Sequence, residues 1–212
     1  MPIMTSVDIH DELELADWRR RIAELHTDVR RLATIDPAGA LALWRAVRED
    51  LYREHPQSPI PVDGRSTFRA LHFDLDPALR FEVEPVPDAT ADRAEVPWSI
   101  GGQQALRRLA WLDIPFAAGE RRLALYWMDG YAGGLFVPFG DATNGRETYS
   151  AGRYVLDAAK GADLGTTADG RLVIDFNFAY QPSCAFDPRW ACPLAPPDNR
   201  LDIPIRAGER IA

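Results

Sequence analysis

Apolar positions recur at helical spacing only in the first quarter of the chain. Trp18, Ile22, Leu25, Val29 and Leu32 step by four, three, four and three, which places them on one stripe and predicts an amphipathic helix over residues 8–33. Ser6 or Asp8 is the expected cap. "TIDPAG" interrupts the run, and Asp36-Pro37 reads as an N-cap followed by proline at the first helical position. Ala40, Trp44, Val47 and Leu51 then mark one face of a second helix, which "HPQSPIP" ends because proline cannot continue the backbone ladder. The short connection makes the pair a helical hairpin, over residues 1–56.

From Phe68 onward the period changes. "FRALHFDL", "LRFEVEPV", "LRRLAWLDI", "RRLALYWMD", "GLFVPF", "GRYVLDA", "RLVIDFNF" and "LDIPIR" are short alternating or β-rich runs, and Gly, Pro, Asp or Asn separates nearly all of them. Leu123, Leu125 and Trp127 share one face of a strand, opposite Ala124, Tyr126 and Met128. "DIPFAAGERRLAL" predicts a hairpin turning at Ala118-Gly119-Glu120, and the polar stretch 86–97 reads as an exposed loop or ribbon. The fold class expected is therefore α+β: the hairpin, then over residues 57–212 a mainly antiparallel barrel or sandwich of about eight strands.

Charge narrows the function. A formal net charge of −8 over 212 residues argues against a nucleic-acid partner, which needs a basic face to neutralise phosphates. No stretch approaches the ~18 apolar residues of a membrane-spanning helix, and the N-terminus lacks the pattern of a secretory signal, so the cytoplasm is the expected location. Lys160 is the only lysine and sits in the loop-like "AAKGADLG", which weighs against Schiff-base chemistry or a phosphate-loop lysine. The chain has no glycine-rich dinucleotide fingerprint, nucleophile elbow or paired-histidine zinc helix. No motif assigns a cofactor.

The remaining chemistry lies in two stretches. His10 and His26 read as surface groups of the first helix, and His55 as a helix C-terminal cap or a functional group. Cys184 and Cys192 stand eight apart without the second ligand pair of a zinc site. They read as buried thiols packed on Phe186 and Trp190, as a disulfide, or as a redox pair in which Arg189 is the nearest cation in sequence. In "FVPFGDATNGRETYSAGRYVLD", a strand at "GRYVLD" points Arg153 and Val155 one way, Tyr154 and Leu156 the other. In "VIDFNFAY", Asp175 and Asn177 share a face opposite Ile174, Phe176 and Phe178. On an inner face, an Arg, an Asp and an Asn must satisfy one another or hold a ligand.

These stretches, with "LVIDFNFAYQPSCAFDPRWACPLAPPDNRL" and "IPIRAGE", closely resemble the bacterial family known as domain of unknown function 1684, over roughly residues 43–209. The resemblance covers Asp141, Thr143, Glu147-Thr148-Tyr149, Gly152-Arg153-Tyr154, Asp175-Phe176-Asn177, Tyr180, both cysteines and Pro196-Pro197 with Asn199. Gln181 stands where the family favours asparagine, and Ser150-Ala151 where it favours glycines. The resemblance implies no activity.

Two expectations follow. In the first, the protein binds a small anionic molecule, with Arg153 as the anchor and Tyr149, Thr148, Asn177, Tyr180 and Asn199 around the ligand. Glu147 or Asp175 is then the acid or base if chemistry occurs, and no metal is called for. In the second, the same polar groups form an internal network of a non-catalytic module, and the helical hairpin docks a partner or a second copy. The placement of Arg153 discriminates between them.

Overall fold

A computed structural model describes residues 9–90, 93–130 and 133–211. The proposed caps Ser6 and Asp8 lie outside the described residues. The first helix, α1 (Ile9–Leu32), buries Ile22, Leu25, His26 and Val29. The second, α2 (Pro37–Glu54), begins as its sequence dictates: Asp36 accepts a hydrogen bond from the Gly39 amide at 2.9 Å, with proline next in line. His55 is its C-cap; the backbone N–H of His55 donates to Leu51, and its ring meets the Asp17 carboxylate at 3.3 Å.

Ten strands follow among the described residues: β1 (Leu71–His72), β2 (Arg80–Val83), β3 (Val86–Pro87), β4 (Arg93–Pro97), β5 (Gln103–Phe116), β6 (Gly119–Met128), β7 (Gly134–Phe139), β8 (Arg153–Asp157), β9 (Leu172–Asp175) and β10 (Glu209–Arg210). All their pairings are antiparallel. The main sheet runs β3-β5-β6-β7-β8, with β4 also pairing β5; β2 with β9 and β1 with β10 form two-stranded ribbons. No described pairing returns from β8 to the β3–β4 edge, so the sheet does not close into a barrel; its layers are sandwich-like.

Hydrophobic alternation decides which layer covers which face. Leu123 and Leu125 of β6 join a core with Leu112, Ile114, Val137 and Phe139, which the β2–β9 ribbon covers through Val83, Leu172 and Ile174. Ala124 and Tyr126 face the other way, into a core with Phe136, Tyr154 and the helical residues Ile22, Val29, Trp44 and Leu51. The main sheet is thus the middle of three layers. Within β5 the register shifts between Arg108 and Ala110. An extra residue there reverses the parity. Leu106 therefore faces the helices, whereas Ala110, Leu112 and Ile114 face the ribbon.

Of the loop or ribbon expected over 86–97, the structure has the ribbon: β3 and β4 both pair with β5. Two expectations need correction. The β5–β6 hairpin turns at Ala117-Ala118, flanked by the Phe116–Gly119 pair. "LDIPIR" is not a strand; the nearby strand is the two-residue β10.

Candidate functional site

Arg153 opens β8 and points inward, as alternation predicts, but it meets the chain's own backbone. Its guanidinium donates to the carbonyls of Ile205 (2.7 Å), Glu209 (3.0 Å) and Ala207, and to the Asp141 carboxylate at 3.0 Å. Arg153 and Asp141 are paired with 0% side-chain exposure on either partner. Asp141 also accepts the backbone N–H groups of Thr143 and Ile205. Arg153 therefore clasps residues 205–209 to the sheet. It is enclosed, and its acidic partner is Asp141 rather than Glu147 or Asp175; the anchoring role in an open pocket is corrected on that ground.

The other expected site residues are likewise drawn into local structure. Glu147 forms a forked pair with Arg206, two contacts at 2.9 Å, and this pair lowers its carboxyl pKa. Asp175 ends β9 and caps the 3-10 turn Phe176–Phe178 by accepting from the Asn177 amide at 3.0 Å. Burial raises the pKa of Asp175. That turn breaks the expected alternation: Phe176 enters the ribbon-side core and Phe178 the helix-side core. Asn177 exchanges side-chain hydrogen bonds with the backbone of Asp76 at 2.8 and 2.9 Å. Thr148 bonds Thr143 and Asn144 inside the 141–149 loop. The Tyr180 hydroxyl donates to Asp157 at 2.9 Å. Asn199 accepts from the Ala124 amide at 2.7 Å and donates to the carbonyls of Ala124 and Pro138, filling a gap between β6 and β7 as a stretch of strand would.

A second buried ion pair escaped the sequence reading. On α2, Arg48 follows Trp44 and precedes Tyr52 by four residues, so it falls on the apolar stripe, where a charge needs a partner. Its Nε donates to Glu209 at 2.8 Å, and Tyr52 and Tyr180 flank its guanidinium with ring centroids at 5.0 and 4.6 Å. The second Glu209 oxygen accepts from the Gln181 amide at 2.8 Å. A charged residue on a helical core face was the available signal for Arg48; nothing in the sequence marked Glu209 as its partner. His26, expected at the surface, is 2% exposed, and burial first of all pushes its pKa down to about 4.

Beside Glu209 lies a cleft of about 230 Å³. Tyr52, Phe68 and Phe186 form its aromatic wall, with pairwise centroid distances of 5.5, 5.2 and 5.8 Å. Arg69 and Arg210 also line it. The Arg69 side chain is 59% exposed, with Glu49 no nearer than 3.9 Å. Glu209 faces the same space, but both its oxygens are already engaged.

Both cysteines are free and buried. The backbone N–H of Cys184 donates to Cys192 Sγ at 3.4 Å, and the backbone N–H of Tyr149 donates to the Gln181 side chain at 3.1 Å. Arg189 is turned instead to Asp187, at 3.1 Å. Among the described residues no group of three or more His, Cys, Asp or Glu side chains is placed to hold a metal ion, and no helix is long and apolar enough to cross a membrane.

A helical hairpin against one face of an antiparallel sheet, with a short ribbon on the other, defines the architectural class. The chain belongs to the family described as protein of unknown function DUF1684, whose model matches residues 66–210. It is also similar to an uncharacterised protein of Haloarcula marismortui solved by solution NMR, with 32% identity and a TM-score of 0.61 over 84% of this chain and 96% of that one. No curated protein matches the sequence.

Proposed function

We propose that the protein binds a small anionic molecule with an apolar body in the cleft beside Glu209. The observation that carries this reading is the pairing of an aromatic wall, Tyr52, Phe68 and Phe186, with two arginines, Arg69 and Arg210, on the same concave surface. Rings accept a flat or aliphatic body by area and dispersion, and a guanidinium fork accepts carboxylate or phosphate in two parallel hydrogen bonds. The cleft is smaller than the roughly 300–1,000 Å³ of a drug-sized site, so the ligand is compact. Burial raises the Tyr52 phenol pKa, which keeps that group a neutral hydrogen-bonding partner. With both Glu209 oxygens engaged, the arrangement favours binding over proton transfer.

Ligand-observed NMR with benzoate, phenyl phosphate and benzyl alcohol tests this reading on the full chain. The two anions are expected to bind and the alcohol to bind more weakly, with Arg210→Ala weakening the anions by about tenfold. Equal binding of all three, or no effect of Arg210→Ala, would overturn it. The alternative, a scaffold without a ligand, gains from the enclosure of Arg153 by Asp141 and three backbone carbonyls. It is favoured if none of the three compounds binds.

A further inference from the structure

A separate cavity of about 220 Å³ lies against the loop that carries both cysteines. Trp18, Trp190, Arg19, Lys160 and Cys192 are among the residues that wall it. Cys192 is held in place from the β4–β5 turn: its N–H donates to the Ser99 hydroxyl oxygen at 3.1 Å, and its carbonyl accepts from the Ser99 amide at 2.9 Å. Cys184 sits in the 3-10 turn Ser183–Ala185, close enough for its backbone N–H to reach Cys192 Sγ. The two cysteines are therefore neighbours, with Cys192 and Ser183 on the cavity wall.

We propose that Cys184 and Cys192 form a reactive dithiol that exchanges with small anionic disulfides entering this cavity. The two indole side chains and the two cations, Lys160 and Arg19, set the class of co-reactant: a low-molecular-weight disulfide carrying carboxylates. Lys160 stands 3.7 Å from Asp157, 41% exposed and able to meet a second anion.

The pair begins with one proton shared between two sulfurs. With the proton on Cys192, the Cys184 thiolate attacks one sulfur of the incoming disulfide; a protein–ligand S–S bond forms, the ligand S–S bond breaks, and a thiolate leaves. Cys192 gives its proton to that thiolate and attacks the Cys184 sulfur. The mixed disulfide breaks, the intramolecular one forms, and a second thiolate leaves. Two electrons pass from the protein sulfurs to the ligand, which is released as one thiol and one thiolate, the latter taking its proton from water.

The surroundings favour the proton on Cys192 and the charge on Cys184. The nearby Cys192 thiol, then the Ser99 and Tyr149 hydroxyls, hold the Cys184 pKa down to about 6. The contact between the two cysteines raises the Cys192 pKa, because its proton is the one being donated.

The site is distinct from the cleft at Arg210, so the two proposals stand or fall separately. The test is incubation of the native full chain with glutathione disulfide, followed by intact and peptide mass spectrometry. The expected product has lost two hydrogens, links Cys184 to Cys192, and reverts on addition of dithiothreitol. Cys192→Ser is expected to retain one glutathione on Cys184. Lys160→Ala is expected to slow oxidation by glutathione disulfide about fivefold at low salt while leaving oxidation by neutral 2-hydroxyethyl disulfide unchanged. Thiols that stay free in excess glutathione disulfide, or two glutathione adducts without a link, would overturn the dithiol. Equal slowing of both disulfides by Lys160→Ala would overturn the assignment of the cavity to an anionic co-reactant. The wild-type measurement stands even if a variant does not fold.

Discussion

Arg153 and Asp141 meet at 3.0 Å across the end of the middle sheet, both sealed from water, and the arginine spends its other hydrogen bonds on the carbonyls of 205, 207 and 209. Burial lowers the Arg153 pKa and the Asp141 carboxylate opposes that pull. Asp141→Asn removes the counter-charge and leaves the cation enclosed, a change expected to cost about 3–5 kcal/mol. Urea unfolding at pH 7.5 measures it. A loss below about 1 kcal/mol would mean that the three carbonyls suffice to hold the guanidinium.

Asn199 offers a sharper test, because its amide serves three main-chain groups at once. Asn199→Ala leaves the Ala124 N–H and the carbonyls of Ala124 and Pro138 without a partner, in a site with no exposure. The expected cost is about 3 kcal/mol or more. Hydrogen exchange should show the Ala124 amide losing protection before its neighbours on β6. Uniform loss along the strand would mean that the amide does not act locally.

The buried histidine sets a pH dependence. Burial first, and then the like charges of Arg48 and Arg30, lower the His26 pKa from 6.5 to about 4, against the hydrogen bond from Nδ1 to the Ile22 carbonyl at 2.9 Å. A depressed folded pKa contributes stability above the unfolded value and loses it as pH falls. Stability from this group is therefore full above about pH 7 and declines between pH 6.5 and 4. By pH 5 the loss is about 2 kcal/mol. Denaturation midpoints for wild type and His26→Gln check this: the variant should be the less pH-sensitive of the two over that interval.

Gly208 is required by both conformation and space. Its φ is +75°, and a Cβ there would lie 2.3 Å from the Ala179 carbonyl oxygen. Gly208→Ala is expected to cost about 3 kcal/mol. Gly170, with φ +87° but open space around it, is expected to lose only about 1 kcal/mol on the same change. Equal losses would show that backbone conformation alone decides.

The helices were legible because period and punctuation agreed: the Trp18–Leu32 stripe, the Asp36-Pro37 start and the prolines after His55 all point the same way. The faces of β6 were legible for the same reason. Near Arg108 alternation alone does not give the faces, since an inserted residue in β5 reverses parity without altering composition. At Phe176 a turn held by Asp175 and Asn177 splits two aromatics that their spacing assigned to one face. The candidate site was legible as a set of polar residues too particular for a loop, but not as a geometry. Arg153 could equally have met Glu147 or Asp175; long-range topology delivered Asp141. Arg48 and Glu209 illustrate the same limit, because nothing local ties residue 48 to residue 209.

That last pairing spans 161 positions of sequence. The helical hairpin can form early from local contacts, yet the cation on its inner face stays uncompensated until β10 arrives. Residues 205–209 supply the partners of Arg153 as well. Arg48 thus draws its counter-charge, and Arg153 three of its carbonyl partners, from one distant segment, so folding is expected to show slow closure after rapid helix formation, with the docking of β10 as the late step.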